Sequence, residues 1–281
     1  MERQTFERLQ KKAATFAHTS LTYTAYENVA HYATLRDDEQ ALFLYGENRE
    51  VGQNELHFAV GDPGDIIRQV QTLPGVTRVS FVPLEARRDF LRAGFTVYSD
   101  MRDFWISDLS GSSDAWDSGG LMRSDECAAV SDVSRSVRWQ SRGFHGESPE
   151  WVASWAAGDN PEVEHAVDCA VLVCRDGAAP VGMVCVALYG HERPEGPVVW
   201  VRELVVRPER QGRGLGRRLL TQTLAYGRAH GARRSYLMAD CQNANALRLY
   251  ESVGFVAKAD DGQLDMLYEN KTAAEAVPDA E

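Results

Sequence analysis

The chain has 281 residues, more than one small domain needs and enough for two modest ones. Its 30 basic and 41 acidic residues give a formal net charge of −11, which argues against nucleic acid as a partner because such binding relies on basic patches. Hydrophobic residues make up 44% of the sequence, and no apolar run reaches the roughly 18 residues that a membrane helix needs.

Targeting signals and metal-binding motifs are not found in the sequence. Residues 1–12 are charged and lack the apolar core of a signal peptide. The seven histidines have no His or Cys companions at metal-ligand spacing, so no metal is expected. Five cysteines, an odd number placed mostly in strand-like segments, predict reduced and buried thiols in a cytoplasmic protein.

The first 110 residues are predicted to form a small domain of strands and short helices. A turn, Gly61-Asp62-Pro63-Gly64, separates a strand from a helix, and a second helix ends at Gly94-Phe95. The predicted elements in chain order are a strand over 56–60, a helix over 65–73, a strand over 76–82, a helix over 86–93 and the last strands within 96–109.

A linker is predicted over residues 111–120, a run rich in Gly, Ser and Asp. It separates domain 1–110 from a second domain over 121–270, and residues 271–281 are predicted to be a disordered tail. The early elements predicted in the second domain are a strand over 121–123, a helix from Ser124 to about residue 138, a helix capped by Ser148 with Pro149 in its first turn, and a hairpin of 169–174 and 181–188 around Asp176-Gly177.

The most informative stretch is a strand over 201–206 that leads into Gln211-Gly212-Arg213-Gly214-Leu215-Gly216 and then into a helix. A helix N-terminus has unpaired N–H groups and about half a positive charge, so phosphate oxygens are stabilised there. Glycine lets the backbone adopt positive φ and approach a ligand closely. The three glycines therefore predict a phosphate-binding turn, although a Gly-x-Gly alone also fits a flexible surface turn.

Two other nucleotide motifs do not fit, because the loop has no Gly-Lys-Ser/Thr and lacks a full Gly-x-Gly-x-x-Gly. A second motif follows the glycine-rich loop: Asn243-Ala244-Asn245-Ala246-Leu247-Arg248-Leu249-Tyr250, and then Gly254-Phe255. Together, Gln-x-x-Gly-x-Gly after a Leu-x-Val strand and Asn-x-x-Ala-x-x-x-Tyr-x-x-x-Gly-Phe resemble the GNAT superfamily of acetyltransferases. The resemblance is specific over residues 198–258 and looser over 119–270.

That resemblance implies an α/β fold of the α+β mixed-sheet kind, with two GNAT-like domains that each have a splayed, mostly antiparallel sheet flanked by helices. It implies acetyl-CoA as cosubstrate, with its pyrophosphate on the 211–216 loop and its pantetheine arm paired to the backbone of Leu204 and Val206 as an added strand would be. The coenzyme contacts that it implies are Leu204, Val205, Val206, Gln211, Gly212, Arg213, Gly214, Leu215, Gly216 and Asn243.

Tyr250 matches the tyrosine that the family places near the CoA sulfur. Its phenol is protonated at pH 7, so it can donate a proton to the leaving thiolate as a general acid. The alternative is that Tyr250 only packs its helix on the sheet. Asn243 matches a contact to the CoA arm and is also a good helix N-cap, and both roles can hold at once.

Glu203 is the best candidate for the base that removes a proton from the attacking amine. Because side chains alternate along a strand, Glu203 is expected to share an apolar face with Val201 and Val205, with Arg202 on the opposite face. Apolar surroundings raise the pKa of a carboxylate, which suits a base near neutrality. The alternatives are an outward-facing or ion-paired Glu203, a chain of waters, or His145 as the base.

Residues 139–145 occupy the position of the family's acceptor-pocket wall, and Trp139 and Phe144 are the candidates to line that pocket. Trp151 and Trp155 are four residues apart and share a helix face. For these two tryptophans, packing in the core is the preferred interpretation.

The first half resembles a faint copy of the second, which predicts a tandem duplication. Its turn lacks Gln-x-x-Gly-x-Gly, and Asp62 and Asp65 would repel phosphate. Phe90 stands four residues before Gly94, as Tyr250 does before Gly254, and it has no proton to donate. The first domain is therefore predicted to be catalytically silent. The alternative to a duplication is that the Gly-Phe ending recurs by chance.

The function implied by the resemblance is transfer of an acetyl group from acetyl-CoA to a primary amine of a small molecule or a peptide. The protein is expected to act as a monomer or homodimer, with no nucleic acid, membrane or metal partner. Two alternatives from other classes stay open. One is an acyl-CoA-binding sensor with weak activity, and the other is an interaction protein without catalysis.

Overall fold

The computed structural model describes residues 1–49, 52–111, 115–138, 140 and 144–271. The described chain divides into two compact units. The N-terminal unit contains Met1–Asp100 and the chain from Gln263 onward, and the C-terminal unit is Met101–Gly262. Each unit combines a mixed sheet with helices, so the predicted α/β class is confirmed.

The elements follow one another along the chain as strands and helices of both kinds. The elements of the first 106 residues are α1 (Arg3–Ala13), β1 (His18–Thr19), α2 (Tyr26–Val29), β2 (Ala33–Asp37), β3 (Ala41–Asn48), β4 (Gln53–Val60), α3 (Gly64–Val70), β5 (Gly75–Val79), α4 (Arg87–Arg92) and β6 (Thr96–Ile106). The remaining elements are α5 (Cys127–Arg135), α6 (Pro149–Ala157), β7 (Asp168–Asp176), β8 (Ala179–Tyr189), β9 (Val198–Val206), α7 (Leu215–Ala229), β10 (Arg234–Asp240), α8 (Ala244–Val253) and β11 (Val256–Asn270).

The two units have the same succession of strand pairings. In the N-terminal unit the order is β2-β3-β4-β5-β11, antiparallel except for the parallel pair β4–β5. In the C-terminal unit the order is β7-β8-β9-β10-β6, antiparallel except for the parallel pair β9–β10. In each unit one helix, α3 or α7, connects the two parallel strands, because a parallel pair needs a crossover.

Two strands pass from one unit to the other. The segment of β6 from Met101 to Ile106 pairs with β10, and the segment of β11 from Met266 to Asn270 pairs with β5. The boundaries therefore differ from the predicted division at 110 and 121. Chain order alone does not show which partner the second half of a long strand will take.

In the C-terminal unit, helices cover both faces of the sheet. On one face, Val184 and Val186 of β8 form a core cluster with Leu220 of α7. Residues of α8 pack against the same cluster. On the other face, Met183 and Cys185 pack with residues of α5 and α6. Because both faces of β8 are buried, its sequence is a continuous apolar run rather than an alternating one.

Several local predictions for this unit can be compared with the structure. Ser148 caps α6 by accepting a hydrogen bond from the N–H of Trp151, and β7 and β8 form the expected hairpin. The helix expected from Ser124 begins as a 3₁₀ turn over Ser124–Glu126 and continues as α5 only to Arg135. The strand expected over 121–123 is limited to a single bridge between Leu121 and Leu172. Residues 272–281, predicted to be disordered, lie outside the described residues.

A buried charged network centres on Glu55 in β4. Arg78 donates to the Glu55 carboxylate at 2.6 Å, Ser80 at 2.8 Å and Tyr32 at 3.1 Å, and His57 Nε2 lies 3.5 Å away. Burial alone would raise the pKa of Glu55, but His57 and Arg78 bring that pKa well below its usual value. The ionised carboxylate is therefore part of the folded N-terminal unit.

We predict that Glu55→Gln lowers the free energy of unfolding by about 3 kcal/mol near pH 7, because Arg78 is left buried without its counter-ion. The loss should be largest above the unfolded-state pKa of Glu55 and shrink as pH falls, since a lowered pKa stabilises the folded state only when the group is ionised. Urea denaturation measures it, with the exposed Glu47→Gln on β3 as control. Equal stabilities would contradict the role of the network.

Candidate active site

A β-bulge interrupts β9 at Arg202. Val201 lies opposite Val186 and Glu203 lies opposite Cys185. One step along β8 therefore corresponds to two steps along β9, and Arg202 is the extra residue. A bulge of this kind shifts the alternation of side chains by one position. Before the bulge, Val201 packs on the α7 side of the sheet, and after it Val205 packs on the α5–α6 side.

The bulge corrects the predicted environment of Glu203. The Glu203 carboxylate faces α5 together with Val205, whereas Val201 lies on the other face. Arg202 also faces the helices of this side, because its guanidinium contacts Trp151 of α6 and Glu203 itself. The expectations that Glu203 shares a face with Val201 and that Arg202 lies on the opposite face were therefore wrong, because simple alternation does not hold across a bulge.

Glu203 is a buried carboxyl with two hydrogen-bond donors. The Ser134 hydroxyl donates to Oε1 at 2.7 Å, and Arg202 Nη1 donates to Oε2 at 3.2 Å. The residue is only 6% exposed. Burial raises the pKa of Glu203 to about 7, against the opposing effects of the Ser134 hydrogen bond and the Arg202 charge. A carboxyl with this pKa can accept a proton near neutral pH.

Arg202 joins three carboxylates in one cluster. It donates to Glu147 at 2.6 Å and to Glu162 at 3.0 Å, in addition to Glu203. Its guanidinium carbon also lies 4.6 Å from the ring centre of Trp151. With one cation and three acidic groups, the cluster has an excess of negative charge, which opposes ionisation of Glu203.

The parallel strands β9 and β10 separate beside Glu203. Their paired register runs from Val198 opposite Arg234 to Val201 opposite Leu237, and within the described residues it ends there. From residue 202 onward, β9 pairs with β8 along one edge. Within the described residues, β10 no longer pairs with its other edge. This opening is the splay that the resemblance implies.

Backbone groups of Leu204 and Val206 point into the splay. Arg207 N–H donates to Val181 O at 2.9 Å, one position beyond the pair of Val206 with Gly182. Since hydrogen-bonded and non-hydrogen-bonded pairs alternate along an antiparallel ladder, the backbone of Val205 faces β8 and its two neighbours face away. Val205, also expected as a coenzyme contact, thus has its backbone on the closed edge.

The glycine-rich loop leads directly from β9 into α7. Gly212 has φ 72° and Gly214 has φ 78°, in the left-handed region that favours glycine. No side chain caps α7 at Gly214, and its first turn contains no acidic residue. The N–H of Arg218 donates to Gly214 O at 3.0 Å, so the N–H groups before Arg218 have no acceptor within the helix.

Other predicted loop residues are placed around this helix start. The Gln211 side chain donates to Val206 O at 2.9 Å, which holds the loop against the open edge of β9. Arg213 is exposed, while Leu215 and Gly216 are partly buried at the start of α7. A Cβ on Gly216 would lie 3.2 Å from Leu249 Cδ2, so glycine allows α7 to approach α8 closely here.

Tyr250 lies on α8, on the α7 side of the sheet. Its ring centre is 6.2 Å from that of Phe104 and 6.2 Å from that of Phe255. The ring is half-buried, and no described residue forms a hydrogen bond with its hydroxyl. Burial raises the pKa of Tyr250 to about 12, so the phenol keeps its proton at neutral pH and can donate it.

Asn243 is the N-cap of α8, because its side-chain oxygen accepts a hydrogen bond from the N–H of Ala246 at 3.2 Å. This observation agrees with the capping role predicted from the sequence. The cap fixes the start of the helix that carries Tyr250, seven residues further along the chain.

The expected acceptor wall is described only in part. Trp139 lies outside the described residues, Phe144 packs partly buried against the α5–α6 core cluster, and His145 is exposed. Trp155 is fully buried and donates its ring N–H to Val186 O at 3.2 Å, as a core residue would. Trp151 stacks on Trp155 and also contacts Arg202.

The sequence analysis missed three residues of the candidate site, Ser134, Glu147 and Glu162, and it also missed the inward orientation of Arg202. One signal for Arg202 exists in the sequence, since Arg202-Glu203 places two consecutive polar residues inside an apolar strand, and such a break in alternation is typical of a bulge. Ser134 had no signal in the sequence, because nothing local to α5 indicates that β9 lies within hydrogen-bond distance.

A search for metal sites and membrane spans was negative over the described residues. They contain no group of three or more His, Cys, Asp or Glu that could hold a metal ion. None of their helices has the length and apolar character that a membrane span requires.

We predict that the free energy of unfolding of Glu203→Gln, relative to that of the parent, rises as pH rises. The pKa of Glu203 is raised in the folded state, so its favourable contribution is complete below the unfolded-state pKa and is lost as pH rises through about 7. The stability difference between variant and parent should move by about 3 kcal/mol in favour of the variant from pH 4.5 to pH 8.5. Urea denaturation across this range tests it, with the exposed Glu164→Gln as control. A pH-independent difference would show that Glu203 titrates normally.

Comparison with known proteins supports the same family. Residues 138–255 match the family model of the acetyltransferase (GNAT) family. An uncharacterized protein of Mycobacterium leprae is 36% identical over 124 residues, which cover 44% of this chain and 32% of that protein. A mycothiol acetyltransferase of Thermobispora bispora is 44% identical over 64 residues, which cover 23% of this chain and 22% of that protein. The chain thus spans about a third or less of the length of these two relatives.

A solved structure extends the likeness of fold to nearly the whole chain. An acetyltransferase of the GNAT family from Colwellia psychrerythraea aligns with a TM-score of 0.56 at 12% identity, over 96% of this chain and 97% of that chain. The splayed strands, the glycine-rich loop at a helix start and the family match lead to one conclusion: residues 138–255 of this chain form a domain of the acetyltransferase (GNAT) family.

Proposed function

We propose that this protein is an N-acetyltransferase that transfers the acetyl group of acetyl-CoA to a primary amine in its C-terminal unit. The observation that carries the proposal is the end of β9–β10 pairing at Val201 and Leu237, directly before an uncapped helix start with two left-handed glycines. An open strand edge and a set of available N–H groups thus follow each other within one short segment of chain.

The residues of the C-terminal unit fit acetyl-CoA. The N–H groups of residues 212–216 would hold the pyrophosphate, with the positive end of the α7 dipole behind them. The backbone groups of Leu204 and Val206 that point into the splay would pair with the amides of the pantetheine arm. When bound, the thioester supplies an activated acetyl group for direct attack by an amine.

Two groups of the chain would move protons in this reaction. Glu203, with a pKa of about 7, would accept the proton that the attacking amine must lose. Tyr250, whose hydroxyl has no partner among the described residues, would donate a proton to the departing sulfur. Because one group accepts and the other donates, the base must be ionised and the phenol protonated, and both conditions hold near pH 7 to 8.

A silent N-terminal unit is part of the proposal, as one half of a tandem duplication. The shared succession of strand pairings supports the duplication. Beyond the last β4–β5 pair, Leu56 with Val79, the short strand β1 pairs with Ala59 and Val60 of β4. The chain's own strand thus takes the edge that would otherwise be open.

The helix start in the N-terminal unit also differs from that of α7. Asp62 accepts a hydrogen bond from the N–H of Gly64 at 2.9 Å, so a carboxylate already occupies the start of α3. Asp65 lies in the first turn of the same helix. Two carboxylates at this place disfavour phosphate, which supports coenzyme binding by one unit only.

The experiment that tests the function follows free CoA thiol while acetyl-CoA is mixed with a panel of primary amines. The panel should include polyamines, amino sugars, peptides with free amino termini and the acceptor of mycothiol acetyltransferase, because one of the similar proteins has that activity. Release of thiol that depends on an amine supports an enzyme. Binding of acetyl-CoA without turnover would favour the sensor, and failure to bind it would favour the interaction protein.

We predict that Tyr250→Phe lowers turnover on the order of 100-fold, the usual size of a general-acid contribution, while the affinity for acetyl-CoA stays near that of the parent. The ring and its packing against Phe104 and Phe255 are kept, so only the hydroxyl is lost. Steady-state kinetics and calorimetry give the two quantities. Unchanged turnover would remove Tyr250 from the mechanism.

We predict that Gly214→Asp weakens acetyl-CoA binding on the order of tenfold or more, because it adds left-handed strain and a negative charge at the phosphate-binding helix start. Gly231→Asp is the matched control, since Gly231 has φ 92°, open space around it and a place just beyond the other end of α7. Calorimetry should give one equivalent bound per chain for parent and control. Equal affinity of the two variants would refute the assigned phosphate site, and two equivalents would refute the silent N-terminal unit.

A further inference from the structure

Ser134 connects the candidate base to the segment that precedes α6. It is fully buried on α5, and its hydroxyl donates to Glu203 Oε1 at 2.7 Å. The same oxygen accepts a hydrogen bond from the N–H of Glu147 at 2.8 Å. One small side chain therefore contacts β9 on one side and the segment before α6 on the other.

The two bonds of Ser134 fix the direction of its hydroxyl proton. A backbone N–H can only donate, so the Ser134 oxygen is the acceptor toward Glu147. A carboxylate can only accept while it is ionised, so the hydroxyl proton points to Glu203 Oε1. This leaves the two oxygens of Glu203 unequal, with Oε1 in the shorter bond and Oε2 in the 3.2 Å contact with Arg202.

Arg202 holds Oε2 less tightly than Ser134 holds Oε1. The same Nη1 atom of Arg202 that approaches Oε2 donates to Glu147 at 2.6 Å, and the Nε and Nη2 atoms of Arg202 each donate to Glu162. The guanidinium is therefore held in place by the other two carboxylates. The Oε2 atom can take up a proton without the loss of a short hydrogen bond.

We propose that Ser134 is a positioning residue for the acyl-transfer reaction: its hydroxyl fixes Oε1 of Glu203 and leaves Oε2 as the oxygen that receives the proton of the acceptor amine. This inference rests on the proposed function, in which Glu203 is the base. In the proton transfer, the N–H bond of the amine breaks, an O–H bond forms at Oε2, and the nitrogen keeps the electron pair with which it attacks the acetyl carbon.

In the part of the chain that the structure describes, the charged and titratable groups around Glu203 are one cation, two carboxylates and a thiol. Arg202 is the cation, and Glu147 and Glu162 are the neighbouring carboxylates that oppose ionisation. On β8, the Cys185 thiol faces Glu203, and burial raises its pKa well above the usual value, so it stays neutral over the range of interest. Of the groups that favour the ionised form of Glu203, Ser134 acts by the shortest hydrogen bond.

The test compares Ser134→Ala with Ser131→Ala. Ser131 is also fully buried on α5, one turn earlier, and its hydroxyl donates to Glu147 O at 2.7 Å without contact to Glu203. Both variants remove one hydroxyl and one hydrogen bond to the backbone of Glu147. Only Ser134→Ala also removes a hydrogen bond to the Glu203 carboxylate. Infrared titration of the ligand-free protein follows the Glu203 carboxyl directly, with Glu203→Gln to identify its band.

The expected result is a titration midpoint about one pH unit higher in Ser134→Ala than in the parent, because the ionised form loses a charge-assisted hydrogen bond. Ser131→Ala should leave the midpoint unchanged. The acid limb of kcat/KM for CoA release should move by the same amount as the carboxyl midpoint. Should the alanine variant fold poorly, Ser134→Cys, which fills the space with a weaker donor, is expected to shift the midpoint in the same direction.

An unchanged carboxyl midpoint in Ser134→Ala, or equal shifts in both variants, would overturn the role of Ser134. A shifted midpoint with an unchanged acid limb would have a different meaning. It would retain the contact between Ser134 and Glu203 and overturn the assignment of Glu203 as the base, which belongs to the proposed function. The infrared measurement needs no turnover, so the two failures are separable.

Discussion

The β-bulge at Arg202 is the constraint on which the candidate site depends. Without it, Glu203 would follow Val201 onto the α7 face and be lost among apolar residues of the other core cluster. With it, two consecutive polar side chains turn to the same face, where α5 and α6 supply their partners. The bulge also lies where the pairing of β9 with β10 ends, so one local irregularity accompanies both the placement of the carboxyl and the opening of the sheet.

The electrostatics of the site follow from that placement. A lone buried carboxylate would be costly, and Arg202 together with Ser134 offsets part of that cost. Glu147 and Glu162 share the same guanidinium, so compensation for Glu203 is incomplete and its pKa settles near neutrality. This balance is what a proton acceptor needs, because a fully neutralised ion pair would be too weak a base.

The sequence was sufficient for the features that depend on local chemistry. Gly212 and Gly214 have the left-handed conformation expected of the turn, and the Asn243 cap was visible as a residue type at a helix start. The site around Glu203 needed more than local information. Simple alternation failed at Arg202, because a bulge depends on the register between two strands, and Ser134 came from a helix about 70 positions earlier in the chain.

The partners of β6 and β11 could not be predicted from the sequence either, because strand propensity does not show which neighbour a strand will pair with. The two units nevertheless differ at two corresponding places. In the N-terminal unit, β1 pairs along the edge of β4 and Asp62 accepts a hydrogen bond at the helix start. In the C-terminal unit, the described pairing of β9 with β10 ends at Val201 and no side chain caps α7. This difference supports our proposal that only the C-terminal unit carries a coenzyme site.

A crystal structure of the protein with acetyl-CoA tests this account most directly. The account predicts one coenzyme per chain, with its diphosphate on the amides of residues 212–216 and its pantetheine arm along Leu204 and Val206. A coenzyme bound along β4 in the N-terminal unit, or a diphosphate away from the start of α7, would contradict it.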